Sequence, residues 1–160
     1  MQQDPDIEAL RRDAERGIPA AEYNLGVWNL TAPGEAADYR AALRLFESAG
    51  SKDFAPALSA LGYMHLRGQG VPIDAGRAAE LFRQAAALDF PEASYRLGEL
   101  LATGCGVHRD LQAARAAFRD AARHGHTVAM SQLAYCLSHG IGGDGDPVEA
   151  AQLYVRAAIE

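Results

Sequence analysis

Small and apolar side chains recur at helical spacing along most of the chain. In residues 56–68, Ala57, Leu61, Met64, His65 and Gly68 fall at i, i+4, i+7, i+8 and i+11, which is one face of a helix. Ten residues on, Ala78, Leu81, Phe82 and Ala85 fall at i, i+3, i+4 and i+7 and mark a second helix. Gly68 stands where a left-handed C-terminal cap is needed, and Asp74 stands where an N-cap is needed. The segment therefore predicts a helical hairpin.

The same pattern returns every 36 residues. Leu25-Gly26, Leu61-Gly62, Leu97-Gly98 and Leu133-Ala134 keep this step. So do Ala21, Ala57, Ala93 and Ala129, and Ala42, Ala78, Ala114 and Ala150. Three further columns follow it: Phe46, Phe82, Phe118 and Tyr154; Ala49, Ala85, Ala121 and Ala157; and Asp38, Asp74, Asp110 and Asp146. Self-similarity at such a period is the signature of a stacked repeat. Each unit predicts a helix A and a helix B. Glycines at 68, 104 and 140 end helix A, with a second row at 70, 106 and 142. Helix B is capped by the Asp column, in repeat four as Asp146-Pro147-Val148-Glu149. It ends near Gly17, Asp53, Asp89 or Gly125, and Pro19 and Pro91 open the next helix A. Residues 1–17 fit the register of a lone helix B, with Ile7, Leu10 and Ala14 on its apolar side. They predict a capping helix ahead of four hairpins, at about 19–54, 55–90, 91–126 and 127–160.

These columns resemble the Sel1-like repeat family, a relative of the tetratricopeptide repeat. Repeat two carries the family pattern in Ala57, Leu61, Gly62, Gly68, Gly70, Val71, Asp74, Ala78, Leu81, Phe82, Ala85 and Ala86. Repeat three carries it in Ala93, Leu97, Gly98, Gly104, Gly106, Val107, Asp110, Ala114, Phe118, Ala121 and Ala122. Repeat one departs from it at residues 31–35, so its hairpin turn should differ. Repeat four departs at Ala134 and Gly143, and its turn is glycine-rich. The resemblance implies an all-α fold, a right-handed α/α solenoid of four Sel1-like hairpins, with the A helices lining a concave face. It also implies an adaptor that binds other proteins. Secreted members with a cysteine pair in each repeat differ from this chain, and their activities do not carry over.

Composition sharpens this picture. Of 160 residues 33 are alanine, so the core must be thin and repeated rather than one bulky centre. Arginine outnumbers lysine 14 to 1, which with the alanine bias points to a GC-rich bacterial genome. The net charge of -6 argues against a nucleic-acid partner. No apolar run suggests a signal peptide or a membrane span, and the two cysteines carry no sign of an oxidising compartment. A cytoplasmic location is expected.

No catalytic or nucleotide-binding motif is present, and no cofactor is expected. The Gly-x-Gly elements follow a helix and recur in register, so they read as turns. Cys105-x-x-His108 and Cys136-x-x-His139 have a zinc-like spacing. Cys136, however, shares the column of Leu100, Met64 and Trp28 and reads as core packing. His124 and His126 read as exposed or as helix C-terminal partners. Asp144-Gly145-Asp146 reads as a turn with an N-cap rather than a calcium loop.

Three columns of helix A face away from helix B: Asn24/Ala60/Arg96/Gln132, Val27/Tyr63/Glu99/Tyr135 and Thr31/Arg67/Thr103/His139. Their chemistry varies while the core columns hold. Asn24, Val27, Tyr63, Arg67, Arg96, Glu99, Gln132, Tyr135 and His139 are the expected partner-binding residues, since Tyr and Arg dominate interface energetics. A plain solvated helix face is the competing reading. The expected function is a non-enzymatic interaction module that binds a peptide or protein segment, with no nucleic-acid or membrane partner. The alternative is a scaffold that self-associates through its open C-terminal end, where no polar cap follows the last helix. A metal-binding or enzymatic protein is the weakest reading.

Overall fold

The computed structural model describes residues 7–31 and 37–159. Among them are nine α-helices: α1 (Ile7–Glu15), α2 (Pro19–Thr31), α3 (Tyr39–Gly50), α4 (Ala55–Arg67), α5 (Ala75–Ala86), α6 (Pro91–Thr103), α7 (Leu111–Arg123), α8 (Thr127–His139) and α9 (Pro147–Ile159). The even-numbered helices are the A helices, and α3, α5, α7 and α9 are the B helices. Packing runs from each helix to its neighbours in sequence, which makes an all-α solenoid. Of the repeat-one turn expected to differ, at residues 31–35, all but Thr31 lies outside the described residues.

The helix boundaries follow the local chemistry read above. Asp38, Asp74 and Asp110 accept a hydrogen bond from the backbone N–H three residues on, at 2.9, 2.8 and 2.9 Å. Asp146 accepts from the N–H groups two and three residues on, those of Val148 and Glu149, at 3.0 and 2.9 Å. Gly68, Gly104 and Gly140 end helix A in the left-handed conformation. The turn from helix B back to helix A also needs a positive φ. Glycine supplies it at Gly17 (76°) and Gly125 (84°), and aspartate at Asp53 (56°) and Asp89 (57°).

The alanine columns are the core. Ala42, Ala49, Ala57, Ala78, Ala85, Ala93, Ala121 and Ala129 are fully buried. Glycine in the Leu-Gly column lets an aromatic ring lie directly on helix A. A methyl on Gly26, Gly62 or Gly98 would stand only 2.5, 2.9 or 2.6 Å from Phe46, Phe82 or Phe118. Repeat four breaks this arrangement. Ala134 carries the methyl and is itself buried, while Tyr154, expected in the aromatic core column, is 43% exposed.

The second glycine row has a role that no single-repeat pattern could reveal. Gly70, Gly106 and Gly142 all have positive φ. Each lies against the first turn of the preceding B helix. Gly70 meets Tyr39, Gly106 meets Ala75 and Gly76, and Gly142 meets Leu111, in each case at the backbone. Along this row the turn of one hairpin touches helix B of the hairpin before it.

Candidate functional site

The three outward columns of the A helices divide into two regions of different character. Between α4 and α6 the side chains hold one another. Arg96 donates from Nε to Glu92 Oε1 at 2.8 Å and from a terminal nitrogen to Glu99 Oε2 at 2.8 Å. Its guanidinium lies 5.1 Å from the Tyr63 ring centroid and 4.9 Å from that of Tyr95. The Tyr63 hydroxyl donates to Glu92 and accepts from Arg96. Tyr95 donates to the other Glu99 oxygen at 2.8 Å.

His126 completes this cluster. Its Nδ1 accepts from the Ala129 N–H at 3.1 Å as the N-cap of α8, so Nε2 carries the hydrogen and donates to Glu92 at 2.9 Å. Its ring stacks on Tyr95 with centroids 4.7 Å apart. His126 was expected to be exposed or at a helix C-terminus. It caps a helix N-terminus instead, while His124 alone meets a C-terminal carbonyl, that of Asp120 at 3.0 Å. Burial raises the Glu92 carboxyl, but hydrogen bonds from Tyr63, His126 and Arg96 outweigh it and hold the group below its ordinary value. Burial and the Glu99 carboxylate push the Tyr95 phenol up to about 12. Tyr63 is raised further, by burial and by Glu92.

The region between α6 and α8 is open. A cleft of about 470 Å³ lies there, lined by Glu99, Ala102, Thr103, Arg109, Leu111, Phe118, Gln132, Tyr135, Cys136 and Ile141. The register explains the opening. Glu99 stands one repeat on from Tyr63, and Gln132 one repeat on from Arg96. The pair that closes the α4–α6 interval is thus replaced by two side chains with no hydrogen bond between them. Tyr135 is 49% exposed, and its ring lies 4.3 Å from that of His139. Cys136 is buried among core residues, and burial pushes its thiol up. Cys105 is exposed. Among the described residues no three His, Cys, Asp or Glu side chains group as a metal site.

The structure therefore brings Tyr63, Arg96 and Glu99 into one cluster, and Glu99, Gln132 and Tyr135 into one cleft with His139 beside it. Asn24 and Arg67 lie exposed elsewhere on the A helices, and Val27 packs partly into the core. Sequence reasoning missed Glu92, Tyr95 and His126. The one legible signal was the charge spacing of Glu92, Arg96 and Glu99 at i, i+4 and i+7. Arg109, Leu111 and Ile141 reach the cleft from turns and a helix start, where outward helix columns give no guide.

The Sel1 repeat model matches residues 19–54, 55–90, 91–126 and 127–159. The chain belongs to the Sel1 repeat family. Proteins of this family are generally protein–protein interaction scaffolds and typically non-catalytic. The chain is similar to the c5321 protective antigen of uropathogenic Escherichia coli, which displays an SLR fold, at 29% identity and a TM-score of 0.91. That match covers 98% of this chain and 33% of the antigen. A Sel1 repeat protein from Oxalobacter formigenes is 30% identical, with a TM-score of 0.82 over 90% of this chain and 59% of that one. The chain thus spans about a third and about three fifths of these two proteins. The Pseudomonas aeruginosa immunity protein Pa5087, at 17% identity and a TM-score of 0.55, shares the fold alone. No curated protein matches the chain. No helix among the described residues is long and apolar enough to cross a membrane.

Proposed function

We propose that this Sel1 repeat array is a bacterial, cytoplasmic adaptor that holds a peptide or protein segment on the concave face of its A helices. Binding would centre on the α6–α8 cleft. The observation that carries this reading is the cleft itself: about 470 Å³, apolar within, with Tyr135 exposed at its edge. Concave, mostly apolar sites with a few polar groups suit ligands, and an exposed tyrosine at such a site suits an energetic anchor. Asn24, Val27, Tyr63, Arg67, Arg96 and His139 would extend the contact along the array. The free cysteines suit a reducing compartment.

Because Tyr63 and Arg96 also hold repeats together, their substitution would disturb the scaffold. Tyr135 is the cleaner probe. Peptides selected from a displayed random library on the wild-type protein should lose about tenfold or more in affinity on Tyr135→Ala, with the melting temperature unchanged. Selected peptides that bind the variant equally well would overturn the groove assignment.

A second reading rests on α9. Its outer face exposes Val148 (67%), Val155 (61%) and Ile159 (79%). In α7 the position one repeat before Val155 is Arg119, which meets repeat four at Glu149. The α9 face thus continues the surface that receives a following hairpin, and a second copy would cover it. Light scattering of Val155→Glu against wild type tests this. Dimer lost in the variant supports it, and a wild-type monomer across concentrations removes it.

A further inference from the structure

The α6–α8 cleft carries one carboxylate and one guanidinium beside its apolar surface, and the two differ in what they have left to bind. Its one carboxylate, Glu99, is already satisfied. One oxygen accepts from Tyr95, and the other from Arg96. The neighbouring Asp110 carboxylate is engaged as the N-cap of α7. Arg109 is different. Its Nε donates to the Ala102 carbonyl at 3.0 Å, which fixes the guanidinium beside the cleft. Its terminal nitrogens have no protein partner among the described residues. The remaining polar lining groups, Thr103, Gln132 and Tyr135, are neutral.

We propose that this cleft reads an acidic–apolar peptide element, with a large apolar side chain seated over Leu111, Phe118 and Ile141 and a carboxylate paired with Arg109. The inference rests on the groove reading above and adds the partner's chemistry to it. Arginine presents a planar donor fork that matches a carboxylate in two hydrogen bonds, and a tether at Nε leaves the outer donors aimed outward. A cationic partner segment would meet the Arg109 guanidinium beside a Glu99 whose two oxygens already accept from Tyr95 and Arg96. The register supplies the remaining argument. Between α4 and α6 the interval is filled by the protein's own aromatic, cation and carboxylates. Between α6 and α8 the aromatic and cation are present as Tyr135 and Arg109, and a free carboxylate is what is missing.

The probes are N-acetyl-leucine and N-acetyl-leucinamide, which differ in the carboxylate alone. Both are titrated into the full chain and followed by backbone amide NMR. N-acetyl-leucine is expected to shift the amides of Arg109, Leu111, Cys136 and Ile141 with affinity about fivefold above that of the amide. Arg109→Gln should level the two probes, and Arg109→Lys should restore part of the difference. Melting temperatures of both variants are compared with wild type, so that a loss through unfolding is recognised. Equal binding of the two probes, absence of binding by both, or an unchanged preference in Arg109→Gln would each overturn the proposal. The groove reading is judged separately. Displayed peptides that depend on Tyr135 but carry no acidic residue and ignore Arg109→Gln would leave the groove standing and remove its acidic preference.

Discussion

Gly106→Ala is expected to destabilise the array by about 3 kcal/mol or more, whereas Gly125→Ala should cost about 1 kcal/mol. Both glycines have positive φ, 72° and 84°. An alanine at either position therefore meets the left-handed penalty of about 1–2 kcal/mol. The difference lies in what surrounds them. Nothing stands within 4 Å of a methyl at Gly125. A methyl at Gly106 would collide with the Ala75 backbone and lie 2.5 Å from the Gly76 nitrogen. Backbone in the first turn of α5 cannot swing aside as a side-chain tip can, so hairpins two and three must separate. In an array stabilised by nearest-neighbour interfaces, weakening one interface also weakens coupling along the chain. Urea unfolding should show a lower midpoint and a broader transition for Gly106→Ala than for Gly125→Ala. Equal losses would mean that φ alone makes the second glycine row necessary.

Lys52→Leu is expected to cost about 3 kcal/mol, and most of this should return in Glu22→Leu/Lys52→Leu. Glu22 is 4% exposed, on α2. Lys52 holds both of its oxygens, at 2.7 and 2.8 Å, and also donates to the Gly17 carbonyl at 2.9 Å, tying the α1–α2 turn to the end of α3. Removing the lysine leaves a buried carboxylate with Ser48 as its remaining side-chain partner, at 2.7 Å. Removing both charges gives repeat one the residues of repeat two, where Leu58 and Leu88 stand at these positions. Burial alone would raise the Glu22 pKa, but hydrogen bonds from Lys52 and Ser48 outweigh it, and the net shift is downward. A depressed carboxyl contributes stability above its unfolded value of about 4.3, and that stability is lost as pH falls through the folded value. The wild type should therefore lose stability below about pH 4.3. Lys52→Leu should lose less over the same range, because its unpaired Glu22 gains from protonation. A thermal melt series from pH 7 to 3 on the three proteins reads this directly. Parallel profiles for wild type and Lys52→Leu would show that the pair does not govern the acid limb.

The capped hairpins and the thin alanine core were legible in the sequence because their causes are local. Asp74 caps the helix that begins beside it, Gly68 ends the helix that precedes it, and Ala57 and Phe82 keep a spacing set by helix geometry. What escaped is made of departures from the repeat that meet across repeats. Glu92, Arg96 and His126 find Tyr63 and one another through spatial stacking, not through any common column. The same two columns even exchange roles. Glu22 on helix A accepts from Ser48 on helix B in repeat one, whereas Ser94 on helix A donates to Asp120 on helix B in repeat three. Column by column, each of these residues looks like an irregularity, and only the pair has a physical meaning. The outward face was legible as a set of columns. Its division into a closed α4–α6 interval and an open α6–α8 one depended on which side chains pair, which spacing does not encode.

The predominance of packing between helices adjacent in sequence also bears on how the chain reaches its native state. The contacts described above reach no farther than the next hairpin, so contact order is low and loop-closure entropy is small at every step. During synthesis each hairpin can dock on the one before it as it leaves the ribosome. The apolar surface exposed at any moment is then about one hairpin face, however many repeats have been made, and growth of the array by duplication need not slow its folding.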